Sequence, residues 1–463
     1  MRAHGGTLVK LPRVVVAGTR SGVGKTSVAV GLMAALAARG LRVSGHKVGP
    51  DFIDPSYHAL ATGRPPRNLD AFLSGADLIP RLLSHGAAGA DLAVIEGVMG
   101  LFDGRGSGDE ASTAHVARLT ATPVVLVVDA SAASRSVAAE VHGFATFDSE
   151  IDLAGVILNR VGSQSHEQLL REALQPLGVP VLGVLRRDDR LVTPARHLGL
   201  IPARERGQAA AATVAALGAA VTEGVDLDAV VRTARTARAL RKRAWSADAA
   251  VAGRTVRGRP VVAVADGPAF TFVYEEHREL LRAAGGDVAT FDPTHDESLP
   301  DGTAALYLGG GFPEEHVEEL AGNGRLRASV AGLAVSRRPI VAECGGLLYL
   351  CGRLEGRVMC GVVDADASWG ERLTLGYHEA TTGSDSPLGP AGTPVRAHAF
   401  HRTVVTPRAG GSPAWRLGDG DSEGFAGPTL HASYLHPHWT ANPELPTALV
   451  AAAGAVSRRK VAT

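Results

Sequence analysis

A glycine-rich segment near the start of the chain, GTRSGVGKT at residues 18–26, constrains the fold more than any other feature. It follows a short β-branched run, VVVA, which predicts a buried strand, and it leads into an Ala/Leu-rich pattern that predicts a helix. In that context the loop, with Gly22 and Gly24, can hold phosphate groups through its backbone N–H groups and the helix N-terminus. Lys25 would then reach the terminal phosphate, and Thr26 would ligate Mg²⁺. The segment therefore predicts an ATP site on a parallel α/β sheet, with Mg²⁺ as the cofactor.

The glycine-rich segment departs from the strict P-loop spacing. Position 19 is threonine, and the first glycine, Gly18, lies one residue earlier than in the strict motif. This variant is similar to the P-loops of dethiobiotin-synthetase-like proteins and partition ATPases. Arg20 would here occupy the place of the second lysine of those loops. The alternative is a glycine-rich turn that binds no nucleotide, and the register of strand, loop, Lys-Thr pair and helix disfavours it.

Acidic residues downstream can complete the phosphate site. Glu96 ends the apolar run LAVIE, and ligands collect at the carboxyl ends of parallel strands in such sheets. Lys47, Asp51 and Asp54 lie in the segment HKVGPDFIDP, after a strand predicted at residues 41–43. We predict these three residues for phosphoryl transfer, and Asp51 and Glu96 as Mg²⁺ ligands together with the P-loop threonine. For Asp51 and Asp54 the alternative is turn capping, which is common for Asp near Pro.

Two further polar residues are weaker candidates for the same site. Asp103, in the segment LFDG, is predicted to take part in phosphoryl transfer, although it can equally be a solvated turn residue. Asn159, at the end of the run LAGVILN, lies where related P-loop proteins recognise the base of the nucleotide. An Asn at the end of a strand is often only a cap, so both interpretations stay open for it.

Short apolar runs alternate with helical stretches along the chain, which predicts an α/β fold with parallel sheets. In the first half, the further strands are predicted at residues 92–96, 123–129, 153–159 and 179–185. After a polar, glycine-bearing segment, strands are predicted at residues 260–265, 287–291, 304–308 and 339–342. We therefore predict a P-loop domain at residues 1–245, a linker at 246–258 and a second α/β domain at 259–463.

The second half carries a candidate thiol nucleophile. Cys344 stands between the apolar run PIVAE and a helical pattern that begins with two glycines. A strand-to-helix turn presents its side chain at the sheet edge, and we expect the helix N-terminus to lower the pKa of the thiol. Upstream, Gly309, Gly310 and Gly311 follow the run AALYL and can supply N–H groups for an oxyanion. This arrangement predicts acyl transfer through a thioester.

The thiol needs a base, and the segment HASYLHPHW offers His431, His436 and His438, among which the spacing does not choose. A free cysteine is also often a small buried core residue, which is the interpretation that we favour for Cys351 and Cys360. Zinc binding is a third alternative for a cysteine with clustered histidines, but the sequence contains no CxxC pair and no spaced Cys/His quartet.

Composition excludes several classes of partner. The 463 residues include 47 basic and 47 acidic side chains, so no overall field draws the chain onto nucleic acid or an anionic membrane. Hydrophobic residues make up 45% and charged residues 20%, which excludes intrinsic disorder, and no apolar run reaches the roughly 18 residues of a membrane span. The start of the chain lacks a long apolar segment, so we expect a cytoplasmic protein with reduced thiols. A homodimer is compatible with the sequence, which does not determine the oligomeric state.

Together, these motifs resemble those of the glutamine-dependent cobyrinic or hydrogenobyrinic acid a,c-diamide synthases, and the resemblance covers nearly the whole chain. The motifs are, in order, GTRSGVGKT, KVGPDFIDP, IEGVMGLFDG, RHLGL, LGGGFPEEH, AECGGLLYL and ASYLHPHW. The resemblance implies a dethiobiotin-synthetase-like P-loop domain followed by a class I glutamine amidotransferase-like domain. It also implies that Cys344 is the nucleophile and that His436 is its base.

The resemblance assigns four acidic residues to the end of the site where ATP meets the substrate carboxylate, namely Asp51, Asp54, Glu96 and Asp103. Two positions depart from what the resemblance leads us to expect. Other class I glutaminases carry a Glu two residues after the histidine, but here that residue is His438, so no third member of the glutaminase site is identified. Ala399, in the segment RAHAFH, stands where we expect an acidic residue.

The activity that the resemblance implies is ligation of nitrogen to a corrinoid in cobalamin biosynthesis. ATP and glutamine would be consumed to amidate the a- and c-acetate carboxylates of hydrogenobyrinic or cobyrinic acid through acyl phosphates. Cobyric acid synthase and the nickel-sirohydrochlorin a,c-diamide synthase are the related alternatives, and a partition-type P-loop ATPase that switches its oligomeric state is the alternative of a different class. The sequence does not determine which metal the macrocycle holds, which carboxylate reacts first, or how ammonia passes between the sites.

Overall fold

The computed structural model of the chain describes residues 10–188, 195–196, 199–240 and 243–461. The chain divides into two units, Met1–Trp245 and Ser246–Thr463. Each unit is built around a mainly parallel β-sheet that is accompanied by helices. Within the described ranges, no helix combines the length and the apolar character that crossing a membrane requires.

The first unit contains a seven-stranded parallel sheet. Its strands are β1 (Arg13–Gly18), β2 (Val43–Val48), β3 (Asn68–Leu69), β4 (Leu92–Glu96), β5 (Val124–Asp129), β6 (Leu153–Val161) and β7 (Val181–Arg186). Their order across the sheet is β3-β2-β4-β1-β5-β6-β7, which places β1 at the centre between β4 and β5. The strands are rich in Val, Ile and Leu because both faces of a central parallel strand are buried.

Helices follow most of these strands. They are α1 (Lys25–Ala38), α2 (Asp54–Thr62), α3 (Ile79–Gly86), α4 (Thr113–Thr120), α5 (Ser136–Thr146), α6 (Gln164–Leu174), α7 (Ala203–Arg206), α8 (Gln208–Gly224) and α9 (Leu227–Arg235). Two short antiparallel strands, β8 (Ala195–Arg196) and β9 (Gly199–Leu200), lie between α6 and α7 in the chain. The side chains of Ser112, Ser163 and Asp226 accept backbone N–H bonds at the starts of α4, α6 and α9. Such caps satisfy N–H groups that have no partner within the helix, and so they define where these helices begin.

The core of the first unit includes α1, α8 and residues of the central strands. Val28, Leu32 and Leu36 of α1 are fully buried. A helix that is apolar on nearly all sides is stable only inside a core, so its direction is determined by packing. The packing of α1 therefore fixes the position of its N-terminus, which begins directly after the glycine-rich loop.

One predicted strand was wrong in its bounds. The strand expected at residues 41–43 instead begins at Val43 and runs to Val48 as β2. In its register with β4, Lys47 lies opposite Glu96. Lys47 is therefore part of a strand rather than of the following loop, and sheet pairing decides its neighbour. The other predicted strands of both units are present, with ends shifted by no more than one or two residues.

The second unit contains a six-stranded sheet in the order β11-β10-β12-β13-β21-β20. Its strands are β10 (Val261–Ala265), β11 (Asp287–Phe291), β12 (Thr303–Leu308), β13 (Ile340–Glu343), β20 (Phe425–Gly427) and β21 (Leu430–Ser433). The pairings are parallel except that of β20 with β21. The helices of this unit are α10 (Ala247–Ala250), α11 (Glu275–Ala283), α12 (Val317–Gly322), α13 (Gly324–Val335), α14 (Gly345–Leu350) and α15 (Glu444–Val461).

A second sheet in this unit was not foreseen in the sequence. Its strands are β14 (Arg353–Leu354), β15 (Arg357–Val358), β16 (Asp366–Thr382), β17 (Pro394–Thr406), β18 (Trp415–Leu417), β19 (Ser422–Glu423) and β22 (His436–Pro437). The long strands β16 and β17 pair antiparallel, and β22 pairs with β17. This pairing places His436 opposite His398.

The segment expected to be a linker, residues 246–258, contains α10 and packs within the second unit. Val251 is 1% exposed, and the Val256 N–H donates to the Ala284 carbonyl at 2.8 Å.

Candidate active sites

The glycine-rich loop turns sharply between β1 and α1. Gly22 and Gly24 have φ values of 81° and 92°, in the left-handed region that side chains rarely adopt. A Cβ on Gly24 would lie 2.2 Å from Asn159 Nδ2, so a larger residue cannot occupy this position without a shift. Asn159 Nδ2 donates to the Val23 carbonyl at 2.8 Å, which ties the loop to the end of β6. In this structure the amide of Asn159 therefore shapes the loop.

A pocket of about 290 Å³ lies beside the loop. Lys25, Thr26 and Asn159 line its polar side, and Leu185, Leu217 and Val221 are among the residues of its apolar side. Pockets that bind small molecules combine apolar walls with a few placed polar groups. This pocket therefore has the composition of a small-molecule site and lies beside the glycine-rich loop.

A buried ion cluster lies next to the loop, where β2 and β4 end. Lys47 Nζ donates to Asp54 Oδ2 at 2.6 Å and to Glu96 Oε1 at 2.9 Å. Burial by itself would lower the pKa of Lys47, but Asp54 and Glu96 outweigh it and raise that pKa. Burial likewise would raise the pKa of Glu96, but Lys47 and His58 hold it well below its usual value. Lys47 and Glu96 therefore stay charged around neutral pH.

Thr26 joins this cluster from the first turn of α1. Its hydroxyl donates to Glu96 Oε1 at 2.5 Å and lies 3.2 Å from Asp54 Oδ2. Asp51 lies further away, since its Oδ2 is 4.0 Å from Lys47 Nζ. The other oxygen of Asp51 accepts the N–H groups of residues 53 and 54 at the start of α2, which is the capping arrangement given above as the alternative. The structure thus brings Asp54, rather than Asp51, next to Thr26.

His58 belongs to the same cluster, and the sequence analysis did not single it out. Its Nε2 lies 2.6 Å from Glu96 Oε2, and both side chains are essentially inaccessible to solvent. His58 follows Asp54 by four residues, which places both on one face of α2. That spacing was the available signal, but only the pairing of strands shows that this face meets Glu96.

The remaining polar candidates surround the loop. Asp103 Oδ2 accepts the N–H of Gly100 at 2.8 Å, as expected of a turn residue, and its charge acts on Lys25 to raise the pKa of the lysine. Burial and Lys47 outweigh this effect, so the pKa of Lys25 is lowered overall. Arg20 lies 3.7 Å from the Asp129 carboxylate. His197, in the RHLGL motif, lies outside the described residues.

In the second unit, Cys344 forms a sharp turn between β13 and α14. Its φ and ψ are 48° and −104°, a conformation that costs free energy for a residue with a side chain. The Cys344 N–H donates to the Ser433 carbonyl at 2.7 Å, which continues the pairing of β13 with β21. A strained residue held by its neighbours in this way is typical of a nucleophile presented at a sheet edge.

The environment of the Cys344 thiol corrects one expectation. The backbone N–H groups of Gly345 and Gly311 both contact the sulfur and lower its pKa. Burial and the Glu314 charge have the larger effect, so the pKa of the thiol is raised and not lowered. Cys344 therefore needs a base to become nucleophilic.

Two of the three glycines of the predicted oxyanion loop, Gly310 and Gly311, have different roles. The Gly310 N–H donates to the Phe272 carbonyl at 3.1 Å, so it is not available to an oxyanion. Gly311 and Gly345 direct their N–H groups towards the Cys344 sulfur. The donor pair next to the thiol is thus Gly311 with Gly345, the residue after the nucleophile.

The structure separates the three candidate histidines. His431 Nδ1 lies 3.1 Å from the Ser386 hydroxyl, and its ring packs edge-on against Trp415, so it is a core residue. His438 Nδ1 lies 2.7 Å from the Thr440 hydroxyl.

His436 lies against the glycine loop that also contacts the thiol. A Cβ built on Gly310 would lie 2.4 Å from its Cε1. The next residue, Gly311, contacts the Cys344 sulfur. Of the three histidines, His436 is thus the one whose ring lies against the glycine loop beside the thiol. The missed residue His398 stacks on His436 with ring centroids 4.8 Å apart, and Ala399 beside it is buried.

Comparison with known protein families gives two matches. Residues 14–201 match the family described as "CobQ/CobB/MinD/ParA nucleotide binding domain". Residues 261–444 match the family described as "CobB/CobQ-like glutamine amidotransferase domain". The first match contains the P-loop and the ion cluster, and the second contains the Cys344 turn and His436.

Relatives align with the chain over nearly its whole length. The hydrogenobyrinate a,c-diamide synthase of Streptomyces coelicolor is 56% identical, over 94% of this chain and 96% of that protein. The enzyme of the same name from Thermobifida fusca is 53% identical, over 96% of this chain and 97% of that protein. The cobyrinate a,c-diamide synthase of a Synechococcus strain is 41% identical, over 93% of this chain and 96% of that protein.

Proposed function

The chain belongs to the a,c-diamide synthase family, and from this membership we propose that it amidates the a- and c-acetate carboxylates of a corrinoid acid at the expense of ATP and glutamine. It is a carbon–nitrogen ligase of cobalamin biosynthesis that takes its nitrogen from glutamine. Hydrogenobyrinic acid is the preferred macrocycle in this proposal, because the hydrogenobyrinate synthases are the more similar of the relatives above.

The observation that carries the proposal is the presence in one chain of a buried Lys-carboxylate cluster beside a P-loop and of a strained cysteine beside a glycine loop. The first arrangement suits phosphoryl transfer to a carboxylate, and the second suits release of ammonia from an amide. We propose residues 1–245 and 259–463 as the respective domains; residues 246–258 connect them in the chain and pack within the second unit.

At the P-loop, the reaction needs positioning and charge neutralisation. Lys25 faces the pocket and would hold the terminal phosphate of ATP. Lys47 stays protonated between Asp54 and Glu96, and in this proposal its ammonium group lies near the point at which the carboxylate of the macrocycle attacks the phosphate. The carboxylate oxygen attacks the γ-phosphorus, ADP leaves, and an acyl phosphate forms. Ammonia then attacks the acyl carbon and phosphate leaves, because phosphate is a far better leaving group than a carboxylate oxygen.

The donor set around Thr26 fits Mg²⁺. The Thr26 hydroxyl lies 2.5 Å from Glu96 Oε1 and 3.2 Å from Asp54 Oδ2, and hard oxygen ligands are the ones that Mg²⁺ prefers. Thr26, Asp54 and Glu96 would hold the ion, with Asp51 near by. The ion supplies neutralisation of phosphate charge when it is bound.

At the thiol, His436 removes the Cys344 proton and the sulfur attacks the carboxamide carbon of glutamine. The Gly311 and Gly345 N–H groups are placed to receive the oxyanion of the tetrahedral intermediate. The imidazolium of His436 returns the proton to the leaving nitrogen, ammonia departs, and water hydrolyses the thioester to glutamate.

The proposal is tested by offering hydrogenobyrinic acid, cobyrinic acid and nickel-sirohydrochlorin in parallel with ATP and glutamine. We expect two amidations of hydrogenobyrinic acid, seen by mass spectrometry together with two equivalents each of ADP and glutamate. Diamide formed only from one of the other macrocycles would replace the proposed substrate. Steady ATP hydrolysis with no amide on any macrocycle would favour a P-loop switch ATPase instead.

A homodimer and a cytoplasmic location are also proposals. Light scattering of the purified chain, with and without ATP, tests the first. Fractionation of cells that express the chain tests the second.

His58 provides a prediction for the ATP half. We expect His58→Phe to lower amidation with glutamine or with ammonium chloride roughly 10–100-fold, because Glu96 Oε2 loses its buried partner. His58→Gln can still donate from a similar position, so it should retain more activity. Steady-state rates of ADP release measure both variants, and equal losses in the two would contradict the hydrogen bond as the reason.

A further inference from the structure

The glutaminase site has a buried carboxylate to which the sequence analysis gave no role, although it belongs to the motif that contains Cys344. Glu343, the last residue of β13, immediately precedes the nucleophile. Its Oε2 lies 3.9 Å from His436 Nδ1, and the two side chains are almost completely shielded from solvent. Nδ1 is the ring nitrogen that must be held if Nε2 is to face a thiol. Burial of a carboxyl group is costly, so its retention beside a catalytic base needs an explanation.

Glu343 is held in place by a network that reaches it from three other elements. The Tyr307 hydroxyl of β12 donates to Glu343 Oε2 at 3.1 Å and lies 2.9 Å from His277 Nδ1 of α11. The backbone N–H of Trp439 donates to His277 Nε2 at 3.1 Å, and the rings of these two residues stack with centroids 4.0 Å apart. Tyr307 and His277 are fully buried, so these bonds restrict the carboxyl group to one position.

We propose that Glu343 is the positioning residue of the glutaminase site, which orients His436 and stabilises the imidazolium formed when His436 takes the Cys344 proton. The proposal rests on the function proposed above. It places the third member of the site directly before the nucleophile, whereas other class I glutaminases carry it two residues after the histidine. That position is His438 here.

In the described part of the second unit, one other carboxylate faces a histidine with both side chains fully buried. Glu276 Oε2 lies 3.8 Å from His438 Nε2, and both are buried. The geometry favours Glu343, because it faces His436, whose ring packs on the glycine loop at the thiol. The Glu276–His438 pair has nearly the same separation and burial, so it provides a matched control.

Burial favours the uncharged forms of both Glu343 and His436 at neutral pH. Burial raises the pKa of Glu343 to about 8, and burial lowers the pKa of His436 to about 3. The titratable groups that face Glu343 in the described part of the chain are Tyr307, His436 and the adjacent Cys344. An imidazolium is favoured beside the ionised carboxylate, so glutamine hydrolysis should rise with pH as Glu343 ionises.

The test compares Glu343→Gln, Glu343→Asp and Glu276→Gln in the full chain with hydrogenobyrinic acid and ATP. Glutamine or ammonium chloride serves as the nitrogen source. We expect Glu343→Gln to lower glutamine-dependent kcat roughly 100-fold, with ammonia-dependent kcat within about twofold of wild type. Glu343→Asp should recover part of the loss, and Glu276→Gln should leave both activities unchanged. The rising limb near pH 8 in glutamine-dependent kcat/KM should disappear in Glu343→Gln.

The outcomes separate this inference from the proposed function. Wild-type glutamine use by Glu343→Gln, or an equal loss in Glu276→Gln, would overturn the role of Glu343. If Glu343→Gln does not fold, Tyr307→Phe decides, because it keeps the carboxyl group but removes its hydrogen bond. We then expect roughly a tenfold loss of glutamine use alone, and no loss would overturn the proposal. Glutamine use that survives Cys344→Ala would instead overturn the proposed function.

Discussion

Replacing Cys344 with alanine should abolish glutamine-dependent amidation, by roughly a thousandfold or more, while amidation with ammonium chloride continues within about twofold of the wild-type rate. The structure gives the physical reason, because the thiol sits in a strained turn beside two N–H donors, and the sequence of residues 1–245 contains no cysteine. The measurement is release of glutamate and formation of diamide with each nitrogen source.

Cys351→Ala is the matched control for this variant. Cys351 is also buried in the second unit, and its thiol donates to the Leu347 carbonyl at 3.3 Å in the core. We expect it to keep both activities, with a stability loss of about 1 kcal/mol. Loss of ammonia-dependent amidation in Cys344→Ala, with the unfolding temperature unchanged, would contradict the division of labour between the two sites.

Replacing Lys47 with methionine should lower amidation with both nitrogen sources by roughly 10²–10³-fold, because the positive charge that we propose beside the transferred phosphoryl group is lost. The variant leaves Asp54 and Glu96 buried without a cation, which should lower the free energy of unfolding by about 3–5 kcal/mol. The pKa of Glu96 is lower in the folded protein than its ordinary value, so the ionised side chain stabilises the fold at pH values above that ordinary value. This stabilisation is lost as the pH falls through the lower pKa of the folded state. The stability gap between variant and wild type should therefore narrow on acidification.

Arg42→Met is the control for the Lys47 variant. Arg42 lies just before β2 and pairs with Asp91 at 2.7 Å on the surface. We expect no change in amidation and little change in stability, because exposed ion pairs contribute little. Urea unfolding at several pH values, together with rates of ADP release, measures both variants. A Lys47→Met enzyme that is destabilised but fully active would show that Lys47 is structural.

The P-loop half shows how far local sequence reaches. The order of strand, glycine-rich loop, Lys-Thr pair and helix is encoded in consecutive residues, and Lys25 and Thr26 lie at the start of α1 as expected. The position of Glu96 at the end of β4 was also foreseen. The partners of Lys47 were not, because they depend on the register of β2 with β4. His58 was missed for the same reason.

In the second half, the same division holds. The run before Cys344 and the glycines after it were sufficient to predict a strand-to-helix turn. The pKa of the thiol was predicted in the wrong direction, because burial outweighs the nearby N–H groups and burial is not visible in a local motif. The strands β16 and β17 were also missed. Their absence from the prediction hid the partner of His436, because β22 pairs with β17 and this pairing places His436 opposite His398.

The sequence by itself determined the two reactive features of the chain, which are a phosphate-binding loop with a lysine and a cysteine at a strand-to-helix turn. It also determined the family and the nitrogen-transferring reaction of that family. These features depend on neighbouring residues, whose backbone preferences and spacing are local. Only the tertiary structure showed what surrounds these groups, namely Lys47 and His58 around Glu96, and Glu343 and His398 beside His436. Those contacts join residues far apart in the chain, so they arise from sheet register and burial.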